Sequence, residues 1–259
     1  MPLLLTIDVG NTNTVLGVHD GEDLKAHWRL TTRREQTADE YGILVRSLFA
    51  ASSIDVAQIV GIALASVVPP LTSVVVTLCR TYLGHEPLVI EPGVKTGMPI
   101  LYEPPSDVGA DRIVNGVAAF AAYGGPVIVV DFGTATTFDV VTKKGEYIGG
   151  VICPGVGISA DALFQRAARL PRVDLRSPGK VIGRSTVGSI QSGLYFGYAA
   201  MVEGIIGRIR IELGEPVRVV ATGGLAESLA GDIPSIEKVD PTLTLNGLRL
   251  IWERNRPAR

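Results

Sequence analysis

The chain has 259 residues, enough for two modest α/β domains or one large one, and 46% of them are hydrophobic, enough for substantial cores. A formal net charge of -2, with basic residues scattered along the chain, argues against nucleic-acid or membrane electrostatics. Cys79 and Cys153 make neither a metal-ligand spacing nor a disulfide framework, and no apolar run approaches the ~20 residues that cross a bilayer. The opening Met1-Pro2-Leu3-Leu4-Leu5 lacks a positive n-region and soon meets Asp8 and Gly10, so it does not read as a signal peptide. A cytoplasmic protein with no nucleic-acid or membrane partner is expected.

Residues 3–9 and 14–19 read as strands joined by the polar loop Gly10 to Asn13, and 24–30 as a third strand completing a meander. Thr37 with Glu40 is a capping-box pattern, and Ile43, Leu44 and Leu48 continue a helical apolar face. A buried strand over 60–67 precedes Pro69-Pro70, which suit the start of a helix reaching about Tyr82. Ser106 is placed to cap a helix running to Tyr123, which Gly124-Gly125 end. Strands follow at 127–131, 137–142 and 147–151, then a short helix at 161–169. Ser185 or Thr186 caps a long helix to about Glu212; a strand over 217–221 meets Gly223-Gly224, and 243–253 closes the chain as a helix.

An internal repeat organises these elements. When LLTIDVGNTNTVLGVHDGE is set beside IVVDFGTATTFDVVTKKGE, Asp8 falls on Asp131, Gly10 on Gly133 and Thr14 on Thr137. Each copy is an apolar strand ending in Asp-x-Gly, a Thr/Asn-rich loop, a second strand and a Gly-Glu turn; ALASVVPPL and VVATGGLAE echo one another more weakly. The repeat predicts two α/β domains, residues 1–115 and 116–259, facing each other across a cleft.

Asp followed by Gly at a strand end is often plain turn chemistry, but its recurrence in both halves points to one ligand approached from two sides. A hard cation such as Mg²⁺ takes oxygen ligands from carboxylates and phosphates together. Asn11, Thr12, Asn13, Thr134, Thr136 and Thr137 supply amide, hydroxyl and backbone groups for phosphate oxygens, without the G-x-x-x-x-G-K-[ST] loop. Gly223-Gly224 is either a tight turn or a platform admitting a purine and ribose. In SDVGADRIVNG, Asp111 and Arg112 are either a solvated charged turn or a base and a carboxylate grip, with Asp107 as the competing base. His19, His27 and His85 share no catalytic spacing and read as surface or structural residues, and no G-x-S-x-G elbow is present.

The ordered set DVGNTNT, GADR, VVDFGTATTFD, GGVICPG and ATGG resembles the type III pantothenate kinases along nearly the whole chain. The resemblance implies a duplicated ribonuclease H-like, actin-like ATPase fold with a central cleft. It also implies transfer of the ATP γ-phosphoryl group to the primary hydroxyl of pantothenate, the first step toward coenzyme A. Carried over, the run Asp8, Val9, Gly10, Asn11, Thr12, Asn13, Thr14 and Val15 is the first ATP-binding loop and Thr134 the second ATP contact. Gly109, Ala110, Asp111 and Arg112 form the pantothenate segment, with Asp111 as proton acceptor; Tyr102 and Thr186 are further substrate contacts. Asp131 matches a monovalent-cation ligand, for K⁺ or NH₄⁺, which leaves Asp8 as the candidate for Mg²⁺.

The long helix carries glycines at 188, 193, 197, 204 and 207 beside Leu194, Tyr195, Phe196, Tyr198, Met201 and Val202, more apolar surface than one narrow stripe. With the family resemblance this predicts a homodimer, and Tyr198 is the position at which an introduced charge tests it if that side chain faces the partner. Two rivals differ in class: another small-molecule kinase of the same superfamily, and a non-catalytic accessory transcription regulator.

Overall fold

The computed structural model describes residues 2–256, so position 1 of the opening run and positions 257–259 of the second domain span lie outside the described residues. The chain divides into two compact units. One runs to Ala118 and resumes at Thr242; the other is Ala119–Pro241.

In the first unit, β1 (Leu3–Val9), β2 (Asn13–Asp20) and β3 (Asp23–Thr31) form an antiparallel meander, and β4 (Ile59–Ser66) and β5 (Leu88–Val89) extend it in parallel, in the order β3-β2-β1-β4-β5. Alternation along β1 and β2 sends Leu5, Ile7, Val9, Leu16 and Val18 to one face. There they meet Tyr41, Val45 and Phe49 of α1 (Ala38–Ala51) and Leu71, Val75 and Leu78 of α2 (Pro69–Leu83). The expected capping box opens α1: Thr37 Oγ1 accepts from the Glu40 N–H at 3.3 Å and Glu40 Oε2 accepts from the Thr37 N–H at 2.8 Å. Pro69 and Pro70 start α2 where their missing N–H groups cost nothing. α3 (Ala110–Tyr123) follows, and the chain passes into the second unit within it.

The second unit repeats the sheet. β6 (Val127–Phe132), β7 (Ala135–Val141) and β8 (Tyr147–Pro154) form the meander; α4 (Val156–Arg166) and α5 (Thr186–Leu213) follow. β9 (Arg218–Thr222), α6 (Ala226–Leu229) and β10 (Lys238–Val239) complete an order of β10-β9-β6-β7-β8. Ile128, Val130, Phe132, Phe138 and Val140 pack on Leu194, Val202 and Ile206 of α5. Strand for strand, β1, β2, β3, β4 and β5 answer β6, β7, β8, β9 and β10, with identical senses of pairing. This is the duplicated α/β fold expected.

Several details differ from expectation. The closing helix α7 (Leu243–Asn255) packs on the first sheet: Leu245 lies against Gly17 and the Trp252 ring against Gly61, where only missing side chains admit them. Ser106 caps no long helix; it sits in a 3₁₀ turn, Pro105–Asp107, and α3 begins after Gly109. α4 begins earlier and ends earlier than the sequence suggested, with Gly155 at its N-cap. The repeat itself slips by one residue. Val9 pairs with Thr14 and Phe132 with Thr136, so Thr14 answers Thr136, and Val15 answers Thr137. The first loop closes from Gly10 N–H to Asn13 O and the second from Gly133 N–H to Ala135 O, one residue shorter.

Candidate active site

Asp8 stands near the C-terminal end of β1, on the sheet face opposite the core, paired with Val15 on β2 and Ala65 on β4. Beyond it the Gly10–Asn13 loop closes through the Gly10 N–H to Asn13 O bond of 2.9 Å. Two residues that sequence reasoning missed brace this loop. Thr32 donates its hydroxyl to Gly10 O at 2.8 Å, lies 3.0 Å from Thr14 Oγ1, and gives its N–H to Thr12 O; Arg34 Nη2 reaches Asn11 Oδ1 at 3.3 Å. Asn11 and Thr12 are exposed and Asn13 half-buried, so loop groups remain open to a ligand; Thr14 is buried and its hydroxyl lies against that of Thr32.

The GADR segment belongs to the same unit. A Cβ at Gly109 would lie 3.6 Å from Val67 Cγ1, just past the end of β4, and 2.6 Å from Asp111 Oδ1. Asp111 occupies the first turn of α3 and its Oδ1 accepts from the Arg112 N–H at 2.8 Å. A carboxylate at a helix N-terminus ordinarily ionises more easily. Here desolvation outweighs both that bond and the Arg112 charge and pushes the Asp111 carboxyl above its ordinary value. Asp107 is exposed in the preceding 3₁₀ turn, while Arg112 is buried and Tyr102 half-buried.

In the second unit Asp131 holds the place of Asp8, paired with Thr137 on β7 and Thr222 on β9. Gly223, at φ +92°, leaves its Cβ space to the Asp131 carboxylate and the Phe132 backbone. The first glycine of the Gly-Gly pair therefore makes room for Asp131. Thr134 is exposed at the loop tip, and Gly155 presses against the carbonyls of Gly133 and Thr134, seating the loop on the start of α4. Two phosphate-contact expectations change. Thr136 is fully buried, and Thr137 donates its hydroxyl hydrogen to Asp139 Oδ2 at 3.1 Å.

Thr186 opens α5, where Ser185 Oγ accepts from the Gly188 N–H at 3.1 Å as N-cap. It lines an open groove of about 740 Å³ with Leu163, Leu170, Arg184 and Ile190. Tyr198 turns inward: its hydroxyl lies 2.5 Å from Ser159 Oγ and 3.0 Å from Pro154 O, tying α5 to α4. These are contacts within the subunit, made by a side chain that stays half-buried. His19 is structural, fully buried beside Thr6, with Nε2 3.2 Å from the Thr6 hydroxyl; burial and the nearby Arg249 charge lower its pKa to about 4. No group of three or more His, Cys, Asp or Glu side chains suited to a metal ion occurs among the described residues.

The two sheets share one topology, and the first strand of each runs into Asp-x-Gly and a polar loop. Residues 4–208 match the family model described as type III pantothenate kinase. The chain belongs to the type III pantothenate kinase family. A protein named type III pantothenate kinase from Moorella thermoacetica is 57% identical over 98% of this chain and 100% of its own. Among solved structures, a protein described as a Baf family transcriptional activator from Campylobacter jejuni superposes with a TM-score of 0.61 at 20% identity, over 97% of this chain and 98% of its own. An inorganic polyphosphate/ATP-glucomannokinase from Arthrobacter superposes with a TM-score of 0.52 at 15% identity, over 98% and 100%. At such identities these two speak for the fold alone, an actin-like ATPase and sugar-kinase architecture. No helix among the described residues is long and apolar enough to cross a membrane.

Proposed function

We propose that this chain, as a member of that family, phosphorylates the primary hydroxyl of pantothenate with ATP, opening coenzyme A synthesis. The observation that carries the reading is the strand-end Asp with a Gly-led polar loop in both halves, joined to the half-buried carboxylate of Asp111 in GADR. Asp8 to Val15 and Thr134 contact ATP, with the backbone and side chains of Asn11 to Asn13 and Thr134 offering donors to phosphate oxygens. Asp111 accepts the hydroxyl proton as the oxygen attacks the γ-phosphorus and ADP leaves. Its raised pKa suits that task, because a base works best when its pKa lies near the working pH. Arg112 holds the pantothenate carboxylate, and Gly109, Ala110, Tyr102 and Thr186 are the further substrate contacts of this reading.

Asp8 is the candidate carboxylate for Mg²⁺; one carboxylate suffices where phosphates and water complete the shell. That ion neutralises phosphate charge when bound. Asp131 fits a monovalent cation, K⁺ or NH₄⁺, because its cross-strand neighbour Thr137 offers a hydroxyl oxygen whose hydrogen is turned elsewhere. The same reading makes the working unit a homodimer in the cytoplasm. Gly193, Gly197, Ala200 and Gly204 are exposed along α5 at spacings of four, three and four, a small-residue face that admits a second helix closely.

Purified protein incubated with ATP, Mg²⁺, K⁺ and pantothenate should yield phosphopantothenate by mass spectrometry. Turnover on other alcohols with none on pantothenate would move the assignment to another kinase of the superfamily; DNA affinity without turnover would move it to a regulator. Light scattering should give about twice the 27.4 kDa chain mass, and Ala200→Glu should halve it. A fully active monomer would remove the dimer.

A further inference from the structure

Asp139 is a fully buried carboxylate in the middle of β7 with no part in the chemistry described above. It accepts hydrogen bonds on both oxygens, from Tyr147 OH to Oδ1 at 2.8 Å and from Thr137 Oγ1 to Oδ2 at 3.1 Å. Thr137 lies two residues away on the same face of the strand, and it is the residue paired across the ladder with Asp131. Directly paired side chains on one sheet face have Cβ atoms about 4.5–5.5 Å apart, so the Thr137 side chain is the cross-strand neighbour of the Asp131 side chain. A hydroxyl has one hydrogen and two lone pairs. With the hydrogen given to Asp139, the oxygen presents lone pairs alone to the space it shares with Asp131. An oxygen of that polarity suits a hard cation and offers nothing to a phosphate. The duplicated half lacks this arrangement, because the first sheet places Val15 and Gly17 where the second places Thr137 and Asp139.

We propose that Asp139 is a positioning residue for the cation at Asp131: by holding the Thr137 hydrogen it aims the Thr137 oxygen at the ion. This rests on the reading of Asp131 as a monovalent-cation ligand. Asp139→Asn replaces one acceptor oxygen by a donating amide. Two hydroxyl donors then compete for one oxygen, and the amide can drive the Thr137 hydrogen toward the ion. Thr137→Val removes the oxygen altogether, whereas Thr137→Ser keeps it. Tyr147→Phe removes only the bond to the other carboxylate oxygen.

The test is a KCl titration at constant ionic strength, balanced with tetramethylammonium chloride, read twice for each protein. One readout is the half-activating K⁺ concentration with ATP and pantothenate; the other is the K⁺-induced rise in melting temperature without substrates. Asp139→Asn and Thr137→Val should raise the K⁺ requirement about tenfold or more, and shrink the melting shift in parallel. Turnover in Asp139→Asn should recover at saturating K⁺. Thr137→Ser should restore most of the K⁺ response that Thr137→Val loses, and Tyr147→Phe should melt earlier while responding to K⁺ within about twofold of wild type. A folded Asp139→Asn with a wild-type K⁺ response overturns the proposal, as does a Tyr147→Phe response as weakened as that of Asp139→Asn, which would mark the cluster as packing alone. Should Asp139→Asn not fold, Thr137→Val decides, and a wild-type response there overturns it. A wild-type protein indifferent to K⁺ in both readouts removes the Asp131 reading and this proposal with it, a result visible before any variant is made.

Discussion

Opposite Asp8 at the end of β1 stands Val15, whereas opposite Asp131 at the end of β6 stands Thr137. One step down the same face Gly17 answers Asp139, and on the parallel neighbour Ala65 answers Thr222. Ser66, the last residue of β4, answers Gly223, just past β9, where the Asp131 carboxylate fills the space of the missing side chain. The backbone ladder is the same in both halves, so hydrogen bonding alone reproduces the position of each strand-end carboxylate. What surrounds the carboxylate differs: a shell of small and apolar residues in one half, hydroxyls and a second carboxylate in the other. One fold thus supplies two anionic positions with unequal partners, and chemistry follows the partners rather than the ladder.

The largest expected effect tests the half that carries Asp111. Asp111→Asn keeps the shape and the helix N-terminal bond but removes the proton acceptor, so turnover should fall roughly 10²- to 10⁴-fold. Its folded-state pKa is raised, so the ionised form disfavours folding above the ordinary carboxylate pKa; the variant should melt no lower than wild type at neutral pH. The acid limb of the wild-type kcat/KM profile should lie above the ordinary carboxylate range, since the base must be ionised. A turnover near wild type would bring Asp107 forward.

Gly223→Ala asks whether the second half needs its glycine. The new Cβ meets the Asp131 carboxylate at a backbone φ of +92°, so a loss of about 2–3 kcal/mol in denaturant unfolding is expected, with weakened cation response. Ser66→Ala, the equivalent change in the first half, should cost less, about 1 kcal/mol for its bond from Thr72 at 2.8 Å. Equal losses would break the comparison.

The first half also carries a titrating core residue where the second has Val141. His19 in the folded chain has a pKa of about 4 against 6.5 unfolded, so between those values the unfolded chain binds more protons and stability falls as pH falls. Its contribution, roughly 2–3 kcal/mol, is complete above about pH 6.5 and lost near pH 4. Urea unfolding at pH 7 and pH 5 measures it, and in His19→Gln this part of the slope should vanish.

The smallest effect separates packing from assembly. Tyr198→Phe removes the hydroxyl that joins α5 to Ser159 and Pro154 and should cost about 1 kcal/mol without changing the mass in light scattering. Dissociation of that variant would place Tyr198 in the partner contact after all.

Much of the architecture was legible because period and punctuation agree. The alternation in β1 and β2, the Thr37–Glu40 box and Pro69-Pro70 each name an element with its boundary. Two-residue strands such as β5 and β10 carry no period and passed unseen. Ser106 misled because a cap residue signals a helix only where the following residues continue it, and Pro105–Asp107 tighten into a 3₁₀ turn instead. Aligning Thr14 with Thr137 failed for a different reason. A one-residue difference in loop length is invisible in an alignment anchored on Asp and Gly, yet it exchanges the buried face of β7 for the face that carries Asp131.

By itself the sequence determined the duplication, the family and the residues from which a site can be drawn, because each is written in local order: Asp-x-Gly after an apolar strand, GADR before a helix, ATGG after another. The tertiary structure decided which of those residues stay exposed and which brace the others. That depends on register and burial, quantities set by strands far apart in the chain. Pairing sends Thr136 into the core and Thr137 beside Asp131. Packing turns Tyr198 inward and brings α7 back onto the first sheet, while desolvation raises the pKa of Asp111 against its own helix terminus.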